Sequence, residues 1–181
     1  LAQGNYWFKV APSCYSKEFI VSCSDGFLTT LLYQKKNSDT IYVSAQANSA
    51  SGNGTTTEKI ETQCFIQGNK CNYEGTLWAA LVLDKNYDIS NYIPYLTAFS
   101  SNNPQYFPDT FLYFITNSDD YLTSILTKQK FNKYWDESND KLYDTSLALL
   151  VLQNTNGETV TNSKDYLLSI QDSNGCWANN I

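Results

Sequence analysis

Tyr143-Asp144-Thr145-Ser146-Leu147-Ala148-Leu149-Leu150-Val151-Leu152 is apolar nearly all round after its opening residues. That is the mark of a helix buried on every side. Two earlier stretches share the build: Gly75-Thr76-Leu77-Trp78-Ala79-Ala80-Leu81-Val82-Leu83 and Asp109-Thr110-Phe111-Leu112-Tyr113-Phe114-Ile115. Their starts near 75, 109 and 144 are 34 and 35 residues apart, and a fixed spacing of this kind signals a stacked helical repeat. Asp109 and Asp144 read as helix caps, their carboxylates accepting from open N–H groups, with Thr76 in that place in the first helix.

A more amphipathic helix follows each buried one, over residues 91–99, 119–130 and 164–171, with Ser90, Ser118 and Ser163 as its cap. The last two helices end alike. Gln129 precedes Trp135 by six residues, as Gln171 precedes Trp177, with Gly175 inside the second turn. The two Trp lie 42 residues apart against 35 for the helix starts, and the polar stretch 153–158 takes up the excess.

Upstream the character changes. Residues 6–10, 18–22, 27–34, 40–44 and 58–66 are short runs rich in β-branched and aromatic residues, separated by turn formers, and read as antiparallel strands. Residues 27–33 fit a helix as well. The Ser/Gly/Thr tract at 48–57 reads as a solvated loop. The fold predicted is α+β, with a small antiparallel β module over residues 1–68 and helical repeats over 69–181.

Composition narrows the chemistry. The chain of 181 residues has 12 basic and 18 acidic side chains, no His and no Met, and every basic residue is Lys. Without His there is neither a Ser-His-Asp nor a Cys-His site, nor an imidazole for metal. Without Arg, an acidic chain at net charge −6 does not suit nucleic acid. No apolar run reaches the ~18 residues of a membrane span. The opening lacks Met and any signal-peptide pattern, which predicts a processed chain or a fragment. Five cysteines fit no zinc spacing; the pairs Cys14–Cys23 and Cys64–Cys71 read as short disulfide loops, leaving Cys176 as an odd thiol, either buried or bonded to another chain. Disulfides and the sequon at Asn53 point to an extracellular or cell-surface setting.

The repeated helix opening with Asp-Thr, and the turn Gln-x-x-x-Gly-x-Trp at 171–177, resemble the terpene cyclase and protein prenyltransferase superfamily. More closely, residues 71–80, 133–136, 143–149 and 165–177 resemble secreted archaeal proteins carrying prenyltransferase/squalene-oxidase-type repeats. The resemblance covers about residues 71–181 and implies a partial α/α toroid, with inner and outer helices alternating. It does not bring the chemistry with it. The cyclases' Asp-x-Asp-Asp acid is absent, Ser118-Asp119-Asp120 being the nearest cluster, at a helix start. The His of the prenyltransferase zinc site and the Cys-Gly-Glu-Gln thioester of the macroglobulin relatives are absent too. No catalytic residue, metal site or cofactor is therefore assigned.

Two carboxylate groups, Glu58 with Glu61 and Glu74, or Asp136 with Glu137 and Asp140, could be posed as a glycosidase pair, but solvated loops account for them. The aromatic set Tyr87, Tyr92, Tyr95, Tyr106, Phe107, Tyr113 and Tyr121 suits a sugar platform, and better suits a helix core and an interface. Asp84, Asp88 and Asp172-x-Asn174 read as turns, not Ca²⁺ ligands. The repeat pattern calls for another buried helix after residue 177, and residues 1–10 could add as a strand to another molecule. Together these features predict a non-enzymatic structural protein that self-associates into a filament or surface layer, or mediates adhesion. The alternatives are a carbohydrate-binding or carbohydrate-processing module, for which glycans are the partner, and a fragment of a lipid- or terpenoid-handling toroid protein.

Overall fold

The computed structural model describes residues 7–15, 17–60 and 62–177. The fold is α+β. Strands β1 (Glu18–Ser22), β2 (Phe27–Tyr33), β3 (Tyr42–Ala50) and β4 (Thr55–Lys59) are followed by a minimal hairpin, β5 (Ile66–Gln67) and β6 (Lys70–Cys71). Six α-helices follow among the described residues: α1 (Tyr73–Leu83), α2 (Ile93–Phe99), α3 (Pro108–Thr116), α4 (Asp119–Thr127), α5 (Lys141–Val151) and α6 (Glu158–Ser169).

The first four strands form one long ribbon folded across its middle. β1 pairs antiparallel with β4 from Glu18 opposite Lys59 to Ser22 opposite Thr55. β2 takes up the same register with β3, from Phe27 opposite Ala50 to Thr30 opposite Ala47. Four residues on each side, 23–26 and 51–54, interrupt the ladder without shifting it, and there the ribbon doubles back. The two halves meet where Thr29 of β2 bonds Thr56 and Glu58 of β4. The corner depends on glycine. A Cβ on Gly52 would stand 2.8 Å from the Ser24 carbonyl oxygen, and one on Gly54 2.7 Å from that of Ser51. Between them Asn53 adopts φ 60°, a conformation Asn tolerates better than most residues, and its N–H donates to Cys23 O at 2.9 Å.

Residues 48–57 are thus two strand ends and a corner, not a solvated loop. Three threonines, 55–57, are β-branched and suit a pleated ladder, and polar side chains are acceptable because the ribbon covers so little. Residues 27–33 are strand, not helix. Toward its tip the ribbon has a bulge between Thr30 and Leu32, where Thr30 Oγ1 donates to the Gln46 carbonyl at 2.8 Å.

The helices pack as three successive pairs. α3 lies against both α1 and α5, α4 packs on α3, α6 on α5, and α2 against α1 and α3. Their core includes Leu77, Leu96, Phe107, Phe111, Leu112, Ile125, Trp135 and Leu152. A buried threonine recurs in each odd helix and ties it to the segment leading in. Thr76 Oγ1 accepts from Phe65 N (2.9 Å), Thr110 Oγ1 donates to Phe107 O (2.6 Å), and Thr145 Oγ1 accepts from Trp135 N (3.1 Å).

Several cap assignments are corrected. Asn72 caps α1 and Asp140 caps α5, each side chain accepting an N–H three residues on. Asp109 and Asp144 lie inside their helices, fully buried. Ser118 precedes α4 but makes no side-chain cap bond, and Tyr92, not Ser90, precedes α2. Ser163 is interior, since α6 begins at Glu158, the last residue of the polar stretch 153–158, whose other residues form the turn and loop between α5 and α6.

Candidate functional site

The ribbon and the helices are joined by a buried ion cluster at Asp109. Its side chain has no exposure; Oδ1 accepts from Lys35 Nζ at 2.8 Å, and Oδ2 from Lys128 Nζ and Ser124 Oγ, both at 2.7 Å. Lys35 comes from the ribbon tip, while Lys128 and Ser124 come from the end of α4. Burial opposes ionisation of Asp109, but the Lys128 and Lys35 ammonium groups outweigh it and hold the carboxyl below the usual range. Burial likewise opposes the charge on Lys128, but the attraction of Asp109, then of Glu137, outweighs it and keeps the ammonium above its ordinary value. Lys128 also stands 5.5 Å over the Phe107 ring. Beside this cluster, Tyr33, Tyr42 and Tyr121 stack in series at 5.5 and 5.9 Å, lining a hollow of about 410 Å³ with Ile93 and Ile115.

Asp144 has a different task. Its Oδ2 accepts the N–H groups of Glu137 at 2.6 Å and Ser138 at 2.7 Å, fixing the loop that leads into α5. Burial raises its carboxyl above the ordinary range, more than those N–H groups lower it. Neither aspartate lines that hollow or the one beside the β5–β6 hairpin. Among the described residues, no three His, Cys, Asp or Glu side chains are grouped to hold a metal.

The two Trp turns share their hydrogen bonds. Lys130 N donates to Tyr134 O and Lys133 N to Lys130 O; 42 residues later Asp172 N donates to Cys176 O and Gly175 N to Asp172 O. Trp135 Nε1 donates to Ile125 O at 2.7 Å, and Trp177 Nε1 to Leu167 O at 2.8 Å. The glutamines diverge. Gln171 closes its own turn onto Gly175 O, whereas Gln129 crosses to Ser163 and Thr159 of α6. Trp135 is fully buried and Trp177 is 38% exposed. In the first turn Phe131 is 80% exposed at φ 54°, a left-handed conformation that costs an aromatic residue roughly 1 kcal/mol.

Cys64 and Cys71 are bonded, with Cα atoms 5.5 Å apart, across the β5–β6 hairpin. Cys14 and Cys23 are unbonded, a correction with a simple cause. Lys17 N bonds Cys14 O in a turn, after which the extended strand β1 carries Cys23 away by about 3.3 Å per residue, beyond the ~7 Å reach of a disulfide. Cys176 is exposed, not buried. Asn53 is exposed at the ribbon corner.

The carboxylate groups considered for glycosidic chemistry are dispersed. Glu58 is held by Thr29 and Asn48, Asp140 caps α5, and Glu61 lies outside the described residues. Asp88 and Asn174 accept local N–H groups as turn residues do. Residues 1–6 and 178–181, in the segments considered for strand donation and a further repeat, also lie outside.

A second hollow, of about 380 Å³, is lined by Phe65, Ile66, Gln67, Asn72, Glu74, Gly75 and Trp78. Sequence reasoning missed it because its two aromatic residues come from different elements, joined only once Phe65 N reaches Thr76. No helix among the described residues is long and apolar enough to cross a membrane. Compared with known proteins, the chain matches no family model, no curated protein and no solved structure.

Proposed function

We propose that this chain is a non-enzymatic structural protein, extracellular or at the cell surface, that self-associates as a filament or surface-layer subunit. In this reading its helix pairs are repeats of a partial α/α toroid, as in the secreted archaeal proteins it resembles. The spacing of Thr76, Thr110 and Thr145 and the matching Trp turns support that relation.

One observation carries the assembly reading: the ribbon has almost nothing to cover it. Among the described residues of β1–β4, only Thr56 is buried, while Ile20, Leu28 and Val43 are mostly exposed. Among the described residues each strand pairs with just one other, so the ribbon keeps open edges. A two-stranded ribbon is marginal in water by itself, and an open edge is a template for another chain.

Charge favours a second copy as that partner. Residues 1–68 hold five Lys against five Asp and Glu, whereas residues 69–181 hold seven against thirteen. The surplus of six negative charges sits on residues 69–181. The ribbon itself, residues 18–59, holds three Lys against four Asp and Glu, so it can meet its copy with little net repulsion. Phe131, exposed and strained, supplies a further contact of a kind that folding alone does not explain.

Light scattering coupled to size-exclusion, with electron microscopy of concentrated samples, tests the reading. Oligomers or fibres should form and should disappear in Ile20→Lys/Val43→Lys, whose monomer keeps the native circular dichroism. Phe131→Asn should weaken association while raising stability slightly. A wild-type chain that stays monomeric at high concentration refutes the proposal.

A further inference from the structure

We propose that the hollow between the disulfide-closed hairpin and the first turn of α1 binds a neutral pyranose sugar. The inference stands apart from the assembly reading, since one copy supplies the whole site. Two aromatic residues, Trp78 and Phe65, line the hollow, and each is held by a second ring. Trp78 is 39% exposed and sits edge-on against Phe111, centroids 4.8 Å apart at 87°. Phe65 is similarly exposed and stacks on Tyr92 at 5.4 Å. The backbone beneath is equally set: Asn72 N donates to Phe65 O at 2.8 Å, and the Cys64–Cys71 bond closes the hairpin. Rings held in this way lose little freedom when a ligand covers them.

The polar groups select the ligand. Gln67 Oε1 already accepts from Asn72 Nδ2, so its amide nitrogen remains to donate. Asn72 Oδ1 is taken by Gly75 N at 2.6 Å. Glu74 is exposed and takes part in none of the ion pairs among the described residues; it offers two acceptor oxygens. Gly75 has no side chain to obstruct the approach. Ring faces to cover C–H groups, one donor and one acceptor at the rim match a pyranose, which presents an apolar face and a girdle of hydroxyls. A purely apolar ligand would leave Gln67 and Glu74 unmatched. A phosphate or acidic sugar would meet Glu74 with no Lys in the lining.

The test titrates the intact chain with a panel of neutral methyl pyranosides and N-acetylhexosamines, read by tryptophan fluorescence and two-dimensional NMR. At least one should bind in the millimolar range, shifting the signals of residues 65–78. Trp78→Ala should weaken it tenfold or more. Glu74→Gln and Gln67→Ala, both at exposed positions, should each weaken it several-fold with circular dichroism unchanged. The proposal is overturned if no sugar on the panel shifts these signals, if binding survives in both exposed-site variants, or if tetramethylammonium or lysine binds there instead.

Discussion

Replacing Asp109 with Asn keeps the side chain's size and removes its charge from between two lysines. The carboxylate accepts three hydrogen bonds of 2.7–2.8 Å. The amide would accept at one end only and turn N–H donors toward an ammonium. Breaking a fully buried ion pair costs about 3–5 kcal/mol. Here the lysine side chains are 25% and 31% exposed and can turn toward water, which brings the expected loss down to about 2–3 kcal/mol. For a domain of this size, that lowers Tm by roughly 5–10 °C. Urea unfolding followed by circular dichroism should show a lower midpoint at unchanged slope. A cycle combining Asp109→Asn with Lys128→Met should give a coupling of at least about 1 kcal/mol.

The pH dependence has a definite sign. Asp109 titrates below its unfolded value when folded. Its contribution is therefore present above about pH 4 and lost as pH falls through the folded pKa. That acid-side loss should shrink in the variant. A variant within about 0.5 kcal/mol of wild type, with the acid limb unchanged, would refute the view that this cluster joins ribbon to helices.

Three further perturbations are informative. Trp135→Phe, which deletes the bond to Ile125 O and leaves a buried acceptor open, should cost about 1–3 kcal/mol in the same urea assay, and Trp177→Phe distinctly less because that ring is partly exposed. Cys64→Ser or reduction of the bond, whose partners are 7 residues apart, should cost about 2.5 kcal/mol by loop entropy, read as a lower thermal midpoint under reducing conditions. Asp144→Asn should behave opposite to the Asp109 variant on raising pH. The folded pKa of Asp144 is raised, so its ionisation erodes stability as pH climbs from about 4 through the folded value, and the variant should lose that decline while its amide oxygen still accepts from Glu137 N and Ser138 N.

The odd helices were readable as helices from their apolar runs, but their exposure was not: Trp78 and Val82 of α1, Phe114 of α3 and Leu150 of α5 face outward, so none is buried on every side. β1 was readable from its short apolar run Phe19-Ile20-Val21 ahead of the turn formers at 24–26. Boundaries were less so. Asn72 and Asp140 carry the caps, yet Asp109 and Asp144 attract the assignment because an aspartate before an apolar run ordinarily is one. What distinguishes them is tertiary: Lys35 lies 74 residues from Asp109, a partner no local pattern reveals. The 48–57 tract has no hydrophobic alternation, so its strand character rests on cross-strand partners such as Thr29. Ser163 looks like a cap until Gln129 of the preceding repeat reaches it.

The ribbon is a single hairpin, keeping one register through its corner and stepping only at the bulge between Thr30 and Leu32, and this sets an order of events for the newly made chain. Starting from the turn that holds Lys35, one hairpin can zip to Glu18 and Lys59 on the microsecond scale of hairpins, about 1–10 µs. Lys35 can find Asp109 only after a far larger loop closes, an entropic step whose reward arrives late. Until α3 and α4 are built, the hairpin's tip carries an unanswered cation and its edges stay open. On the proposed assembly, the interval before that ion cluster closes is when a neighbouring copy would find the ribbon's edges most open.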